Sequence, residues 1–309
     1  MTQKLSRLLV VGGNGFIGQH VVKRGVLLGW DVTSLNRSLK HLPQEDSPVR
    51  HLVADTTNLQ ALAGALGGAK FDYVVNCSGE IDHTLFFKGE GRRVLNSHFL
   101  SVLNLTELIN RDALQMFVNI GSSDEYGNSP APQVETAREA PISPYSIGKV
   151  AATHFLQMLS RTENFPATTL RLFLTYGPGQ DNRRFIPQIV RGCLEGRIFS
   201  TSKGEQLRDF CYIDDIVNAI FTVLANPAAN GQIFNVASGE GISIRHMIET
   251  IVCLIGKGQP QFGEIPYRVG ENMALYANIS KVRSFLNWTP CVSLESGLEK
   301  TIQWIREQS

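Results

Sequence analysis

The sequence predicts an α/β fold, a doubly wound parallel sheet followed by a smaller, mixed α/β C-terminal region. Three observations predict it. Short apolar runs of strand length recur with segments of helical periodicity between them. One such run, residues 8–11, ends in a cluster of glycines. The alternation then breaks at Tyr176-Gly177-Pro178-Gly179, beyond which short strands, turns and helices mix. Strand–helix alternation folds into parallel strands with right-handed crossovers and leaves a ligand crevice where the strands end.

The whole chain bounds the reading. Its 309 residues suffice for one large or two ordinary domains, and 43% apolar with 18% charged residues is a globular composition. With 29 Lys+Arg against 28 Asp+Glu, the net charge of +1 supplies no field to hold nucleic acid or an anionic membrane. The apolar runs are too short for a membrane span, and residues 8–11 behind Lys4 and Arg7 are too few for a signal peptide. The five cysteines (Cys77, Cys193, Cys211, Cys253, Cys291) are widely spaced and include no C-x-x-C pair. Neither a metal site nor a disulfide framework is expected, and the expected compartment is a reduced cytoplasm.

Residues 8–18, LLVVGGNGFIG, carry the first site. Gly13, Gly15 and Gly18 fit G-x-G-x-x-G, and Gly12, Gly15 and Gly18 the wider G-x-x-G-x-x-G. A strand that turns at once into an apolar helix (16–28) offers backbone N–H groups, with Phe16 and Ile17 in the first turn, to a pyrophosphate. The next strand, 31–35, ends at Asn36-Arg37, where an acidic residue would hold the ribose 2′-hydroxyl of NAD. A guanidinium there suits a 2′-phosphate, so NADP(H) is favoured over NAD(H), unless Arg37 is merely a solvated loop residue. Residues 51–54 lead to Asp55 at the adenine edge, and the strand 71–76 (FDYVVN) ends in Cys77-Ser78-Gly79, small residues where a dinucleotide would lie. The loop 80–91 follows, with Glu80 and His83 as candidate substrate contacts, although a lone loop histidine is commonly just solvated.

A long helix is expected over 93–110, a strand over 116–120 ending in Gly121-Ser122-Ser123-Asp124-Glu125-Tyr126-Gly127, and a helix from Tyr145 to about residue 162. Tyr145 and Lys149, four apart, share a helix face. A tyrosine is a poor acid or base at neutral pH until a neighbouring cation favours its phenolate. Ser122, at the end of the preceding strand, adds a second hydrogen bond to the same substrate oxygen. Tyrosine, lysine and serine over a nicotinamide make a hydride-transfer site.

Taken in order, GGNGFIG, SSDEYG, PYSIGK, LRLFLTYGPG, RDFCYIDDIVNAI, FNVASGEG and NISKVRSFLNWTP resemble the extended short-chain dehydrogenases/reductases of the nucleotide-sugar epimerase/dehydratase family, from residue 8 to about 304. The resemblance implies a Rossmann domain for NAD(P), over 1–175 with about 211–237 returning to it. It implies a substrate domain for a nucleoside-diphosphate sugar over 176–210 and 238–309. It puts the family's triad on Ser122, Tyr145 and Lys149, substrate contacts on Ser123 and Asp124, and phosphate-binding arginines on Arg208 and Arg268. It further implies a homodimer through a four-helix bundle of 93–110 and 145–162, with Val102, Leu103, Leu105, Leu156, Met158 and Leu159 as candidate contacts that fit the chain's own core equally well.

Two departures bear on the reaction. Leu174 stands where the family has a substrate-contacting Asn, and Ser123-Asp124 stand where 4,6-dehydratases carry an Asp-Glu or Ser-Glu pair. Asp124 nonetheless remains a candidate base. GSSDEYG is most similar to the corresponding run of GDP-6-deoxy-4-keto-mannose reductases, and NADPH suits a net reduction. The expected activity is therefore reduction of a 4-keto-6-deoxy nucleotide sugar. The alternatives are a 4-epimerase or a 4,6-dehydratase on the same site, and beyond these a non-catalytic NADP-sensing protein.

Overall fold

The computed structural model describes residues 5–38, 48–267 and 271–308. In chain order its elements are β1 (Arg7–Val11), α1 (Phe16–Leu27), β2 (Asp31–Asn36), β3 (Val49–Val53), α2 (Leu59–Leu66), β4 (Tyr73–Asn76), α3 (Gly91–Leu108), β5 (Met116–Ser122), α4 (Pro144–Glu163), β6 (Ala167–Leu172) and β7 (Leu174–Tyr176). They continue with α5 (Phe185–Leu194), β8 (Ile198–Thr201), β9 (Leu207–Arg208), β10 (Phe210–Tyr212), α6 (Ile213–Leu224), β11 (Ile233–Val236), β12 (Ile242–Ser243), α7 (Ile244–Ile255), β13 (Gln259–Phe262), β14 (Ala274–Leu275), α8 (Ser280–Leu286) and α9 (Leu294–Glu307). The chain divides into two compact units.

The first unit takes in residues 1–127, 138–171 and 217–234. Its parallel seven-stranded sheet runs β11-β6-β5-β4-β1-β2-β3, a Rossmann-type α/β fold. Leu8, Leu9 and Val10 of β1 are fully buried, as a central strand covered on both faces requires. Strand order reverses between β1 and β4, which pair from Leu8↔Tyr73 to Val11↔Asn76, so their carboxyl ends bound a topological switch point. On one face α2, α3 and α4 cover a core that includes Leu35, Leu62, Val74, Leu105, Phe117 and Phe165.

Local signals fix the ends of these elements. Ser143 caps α4 by accepting from the Ser146 N–H at 3.1 Å, with Pro144 in the first turn and Asn164 in the left-handed region at the C-terminus. The strand expected from residue 71 begins at Tyr73, and Asp72 just before it is tied to β1, its carboxylate accepting from the Arg7 N–H at 2.8 Å and pairing with the guanidinium. The helix expectations need one correction. Val102, Leu105, Leu156 and Leu159 lie inside the unit's own core, at 8% exposure or less, and are not available to a second copy. Leu103 is half-buried, and Met158 is 40% exposed.

The second unit takes in residues 128–137, 172–216 and 235–309. It is built from small sheets: β7 pairs with β10 and β8 with β13, both parallel, while β9 lies between antiparallel β12 and parallel β14. Asp209 is the node. Fully buried, its carboxylate accepts from the Ser238 N–H (2.7 Å) and hydroxyl (2.6 Å), the Gly239 N–H (2.9 Å) and the Ala277 N–H (3.2 Å). No described helix of the chain is long and apolar enough to cross a membrane.

Candidate active site

The glycine turn is shaped for close approach. Gly12 has a φ of +77°, and a Cβ on Gly18 would fall 2.1 Å from the Gly12 carbonyl oxygen, so only glycine lets α1 start this close to β1. At Gly13 the obstacle would be the Ser34 hydroxyl, also 2.1 Å away. Gly15 is the N-cap of α1 and no side chain caps the helix. Asn14 Nδ2 is buried with no partner. Uncapped helix N–H groups beside an unspent amide donor fit the anionic pyrophosphate of a dinucleotide. Asn36 serves the turn itself: its Oδ1 accepts from the Asn14 N–H at 2.8 Å and its Nδ2 donates to Ser34 Oγ at 2.9 Å. Arg37 is exposed just past β2. Asp55 folds into a local turn, accepting from the Thr57 N–H and hydroxyl at 2.9 and 2.7 Å.

The loop after β4 faces this turn, since a Cβ on Gly12 would stand 3.1 Å from the Ser78 backbone. Ser78 donates to Asn76 Oδ1 at 2.6 Å, and burial pushes the Cys77 thiol up to about 12, which leaves it unreactive. Gly79 has a φ of +129°, and its missing Cβ would lie 2.1 Å from His98 Cε1. His98, on α3, donates from Nε2 to the Glu80 carbonyl at 2.8 Å, so its neutral ring carries the proton there and Nδ1 is a buried acceptor without a partner. Burial, and then the Lys149 charge, hold its pKa down at about 3. The Glu80 side chain pairs with Arg93 of the same helix, so this candidate substrate contact is committed to α3.

The expected trio lies at the end of β5 and the start of α4. Tyr145, 6% exposed, is flanked edge-on by two imidazoles, His98 at 4.9 Å and His83 at 5.1 Å between ring centroids. Lys149 Nζ lies 5.9 Å from the Tyr145 ring centroid and donates to the Ile120 carbonyl at 2.6 Å. Burial brings the Lys149 ammonium down to about 8, with Glu125 the larger of the opposing influences. Ser122 Oγ accepts from the Asp124 N–H at 3.1 Å, which leaves its own O–H to donate. Ser123 is buried, whereas Asp124 is partly exposed and stands 3.6 Å from His83 Nδ1.

Glu125 is a residue the reading of the chain passed over. Its Oε1 accepts from the Ser122 N–H at 2.9 Å, and its Oε2 from Thr153 Oγ1 and Arg171 Nε, each at 2.9 Å. Arg171, with no exposed surface, also donates to Glu139 at 2.6 Å. The signal was present: Ser122 and Glu125 are the two ends of a capping box. His98 carries no local signal of its role.

In the second unit, Arg208 donates to its neighbour's carbonyl, Leu207 O, at 2.8 Å and pairs with Glu271. Arg268 lies outside the described residues. Leu174 is 39% exposed, with its N–H donating to the Asp209 carbonyl at 3.0 Å.

A glycine turn at the switch point of a parallel sheet, with a buried tyrosine–lysine pair at the same sheet edge, defines a Rossmann-type nucleotide-dependent enzyme. Comparison with known proteins narrows the class. The NAD dependent epimerase/dehydratase family matches residues 8–237. The UDP-glucuronate 4-epimerase of Thermodesulfobacterium geofontis is 28% identical, over 97% of this chain and 96% of its own. The dTDP-glucose 4,6-dehydratase of Neisseria meningitidis is 25% identical over 97% and 93%. MoeE5, solved in complex with UDP-glucuronic acid and NAD, superposes with a TM-score of 0.87 at 26% identity, over 98% of this chain and all of that one. The chain belongs to the NAD dependent epimerase/dehydratase family, among the extended short-chain dehydrogenases/reductases.

Proposed function

We propose that this chain transfers hydride at C4 of a nucleoside-diphosphate sugar, in the net direction of reducing a 4-keto-6-deoxy sugar. The observation that carries the reading is Tyr145: a nearly buried phenol beside the Lys149 cation, with the Ser122 hydroxyl at the end of the adjoining strand. When bound, the nicotinamide cofactor supplies the hydride. Ser122 donates a hydrogen bond to the C4 carbonyl oxygen and fixes it. Tyr145 gives its proton to that oxygen as C4 becomes a carbinol, and solvent then reprotonates the phenolate. Lys149 stabilises the phenolate charge, which brings a group near pKa 10 into useful range. A non-catalytic cofactor sensor would need none of these three groups.

Cofactor choice bears on direction. Asn36, with its amide committed to the glycine turn, stands where NAD-specific relatives place an acid, and exposed Arg37 offers a partner to a 2′-phosphate. This supports NADP(H), although NAD accompanies MoeE5 and names the family. A second reading, a 4,6-dehydratase or 4-epimerase, has its own support in Asp124, a partly exposed carboxylate close to His83 that could act as the base.

A panel of nucleotide sugars and their 4-keto-6-deoxy forms, with NADPH or NAD, tests the choice. The expected result is NADPH oxidation with a 4-keto-6-deoxy sugar, lost in Tyr145→Phe and retained in part in Asp124→Asn. Formation of a 4-keto-6-deoxy product from a plain hexose nucleotide, with no net cofactor oxidation and blocked by Asp124→Asn, would replace it with the dehydratase reading.

A further inference from the structure

We infer that Glu125 is a positioning residue for the reaction, a buried carboxylate that orients Ser122 and keeps Lys149 cationic. The inference rests on the reading of Tyr145 and Lys149 as the proton-transfer pair. Glu125 is itself fully buried, and three elements grip it: the end of β5 through the Ser122 N–H, α4 through Thr153, and β6 through Arg171. The carboxylate thus joins the backbone of one candidate proton-handling group to the helix that carries the other two.

Lys149 is buried, and a buried ammonium reverts to the neutral amine unless a negative group faces it. Around it stand the Ile120 carbonyl from β5, Cys77 from the end of β4, His98 from α3 and Tyr145 one turn back on α4, and Glu125 is bonded to Thr153 one turn ahead on the same helix. Cys77 and His98 are held neutral by burial, and the phenol of Tyr145 is neutral at rest. Among these groups Glu125 supplies the formal negative charge.

Arg171 does not cancel that charge, because it also serves Glu139, which His154 approaches to 3.3 Å from the far side. Two carboxylates share one guanidinium, and Lys149 is the second cation that balances the set. Without Glu125 the cluster would hold one excess positive charge, and the lysine is the group able to shed it.

The test is the pH dependence of the Tyr145-dependent reduction, followed by reduced-nicotinamide absorbance with a dTDP-linked 4-keto-6-deoxyhexose as the first probe. In that direction Lys149 must be cationic, so activity falls on the alkaline side where it loses its proton. Glu125→Gln keeps an oxygen for the Ser122 N–H but removes the charge. It is expected to move the alkaline limb down by about one pH unit, with the sugar-nucleotide KM little changed.

Glu125→Asp keeps the charge but withdraws it by one methylene. It is expected to leave the limb in place and lower kcat by about 100-fold through misplacement of Ser122. An unmoved limb in the Gln variant overturns the inference, as does full kcat in the Asp variant. If the Gln variant does not fold, the Asp result decides alone. Reduction by the wild type that survives Tyr145→Phe would instead remove the functional reading, and this inference with it.

Discussion

Replacing His98 by Gln should remove a specific part of the protein's acid sensitivity. Burial and the nearby Lys149 charge hold the folded His98 at about 3, against 6.5 in the unfolded chain. Between those values the unfolded chain carries a proton that the folded one does not, so stability rises with pH across the window. The contribution is fully present above 6.5 and is lost as the pH falls toward 3. Each unit of displacement is about 1.36 kcal/mol, so the move from pH 7 to pH 5 costs the wild type about 2 kcal/mol through this one group. Gln offers an amide N–H to the Glu80 carbonyl and does not titrate. Urea unfolding of both proteins at the two pH values is the assay. The wild type should lose about 2 kcal/mol more than His98→Gln, and equal losses would refute the placement of a neutral imidazole in a dry pocket.

Three further expectations concern ligands and assembly. Arg37→Ala should weaken NADP(H) binding roughly tenfold or more while sparing NAD(H), as fluorescence titration would show; equal weakening would end the argument for a 2′-phosphate contact. Arg208→Ala should raise the sugar-nucleotide KM by a similar factor without altering cofactor affinity, and an unchanged KM would put Arg208 outside the substrate's reach. The remaining apolar stripe of α3 and α4, with half-buried Phe99, Leu103 and Phe155 and exposed Met158, should pair two copies as a four-helix bundle. Light scattering should give a dimer for the wild type and a monomer for Met158→Glu, and a wild-type monomer would count against the assembly.

The parts of the fold that could be read from the chain are those fixed by neighbours in sequence. The glycine turn, the capped start of α4 and the four-residue spacing of Tyr145 and Lys149 each depend on a few adjacent residues. An apolar stripe on a helix says that a face is covered but not by what, which is why Val102, Leu105, Leu156 and Leu159 pointed equally to a partner and to the core that in fact buries them. Asn36 was read for its position at the end of β2, whereas its amide turns back on Asn14 and Ser34. His98 was out of reach altogether. Its environment is assembled from Glu80 in the loop after β4 and from Tyr145 and Lys149 on α4, and nothing beside it in sequence announces them.

The two tight glycines after β1 leave different evolutionary routes open. At position 13 the obstacle to a methyl group is a side chain, the Ser34 hydroxyl, so a lineage that first reduced Ser34 would gain access to alanine there. It would do so by giving up the hydroxyl that Asn36 donates to, and with it some of the hold on Asn14. At position 18 the obstacle is the Gly12 main-chain carbonyl, which no substitution elsewhere removes. Drift at the first glycine is therefore conditional on an earlier change at residue 34, while the second has no permissive background and is expected to stay fixed as substrate preference diversifies around it.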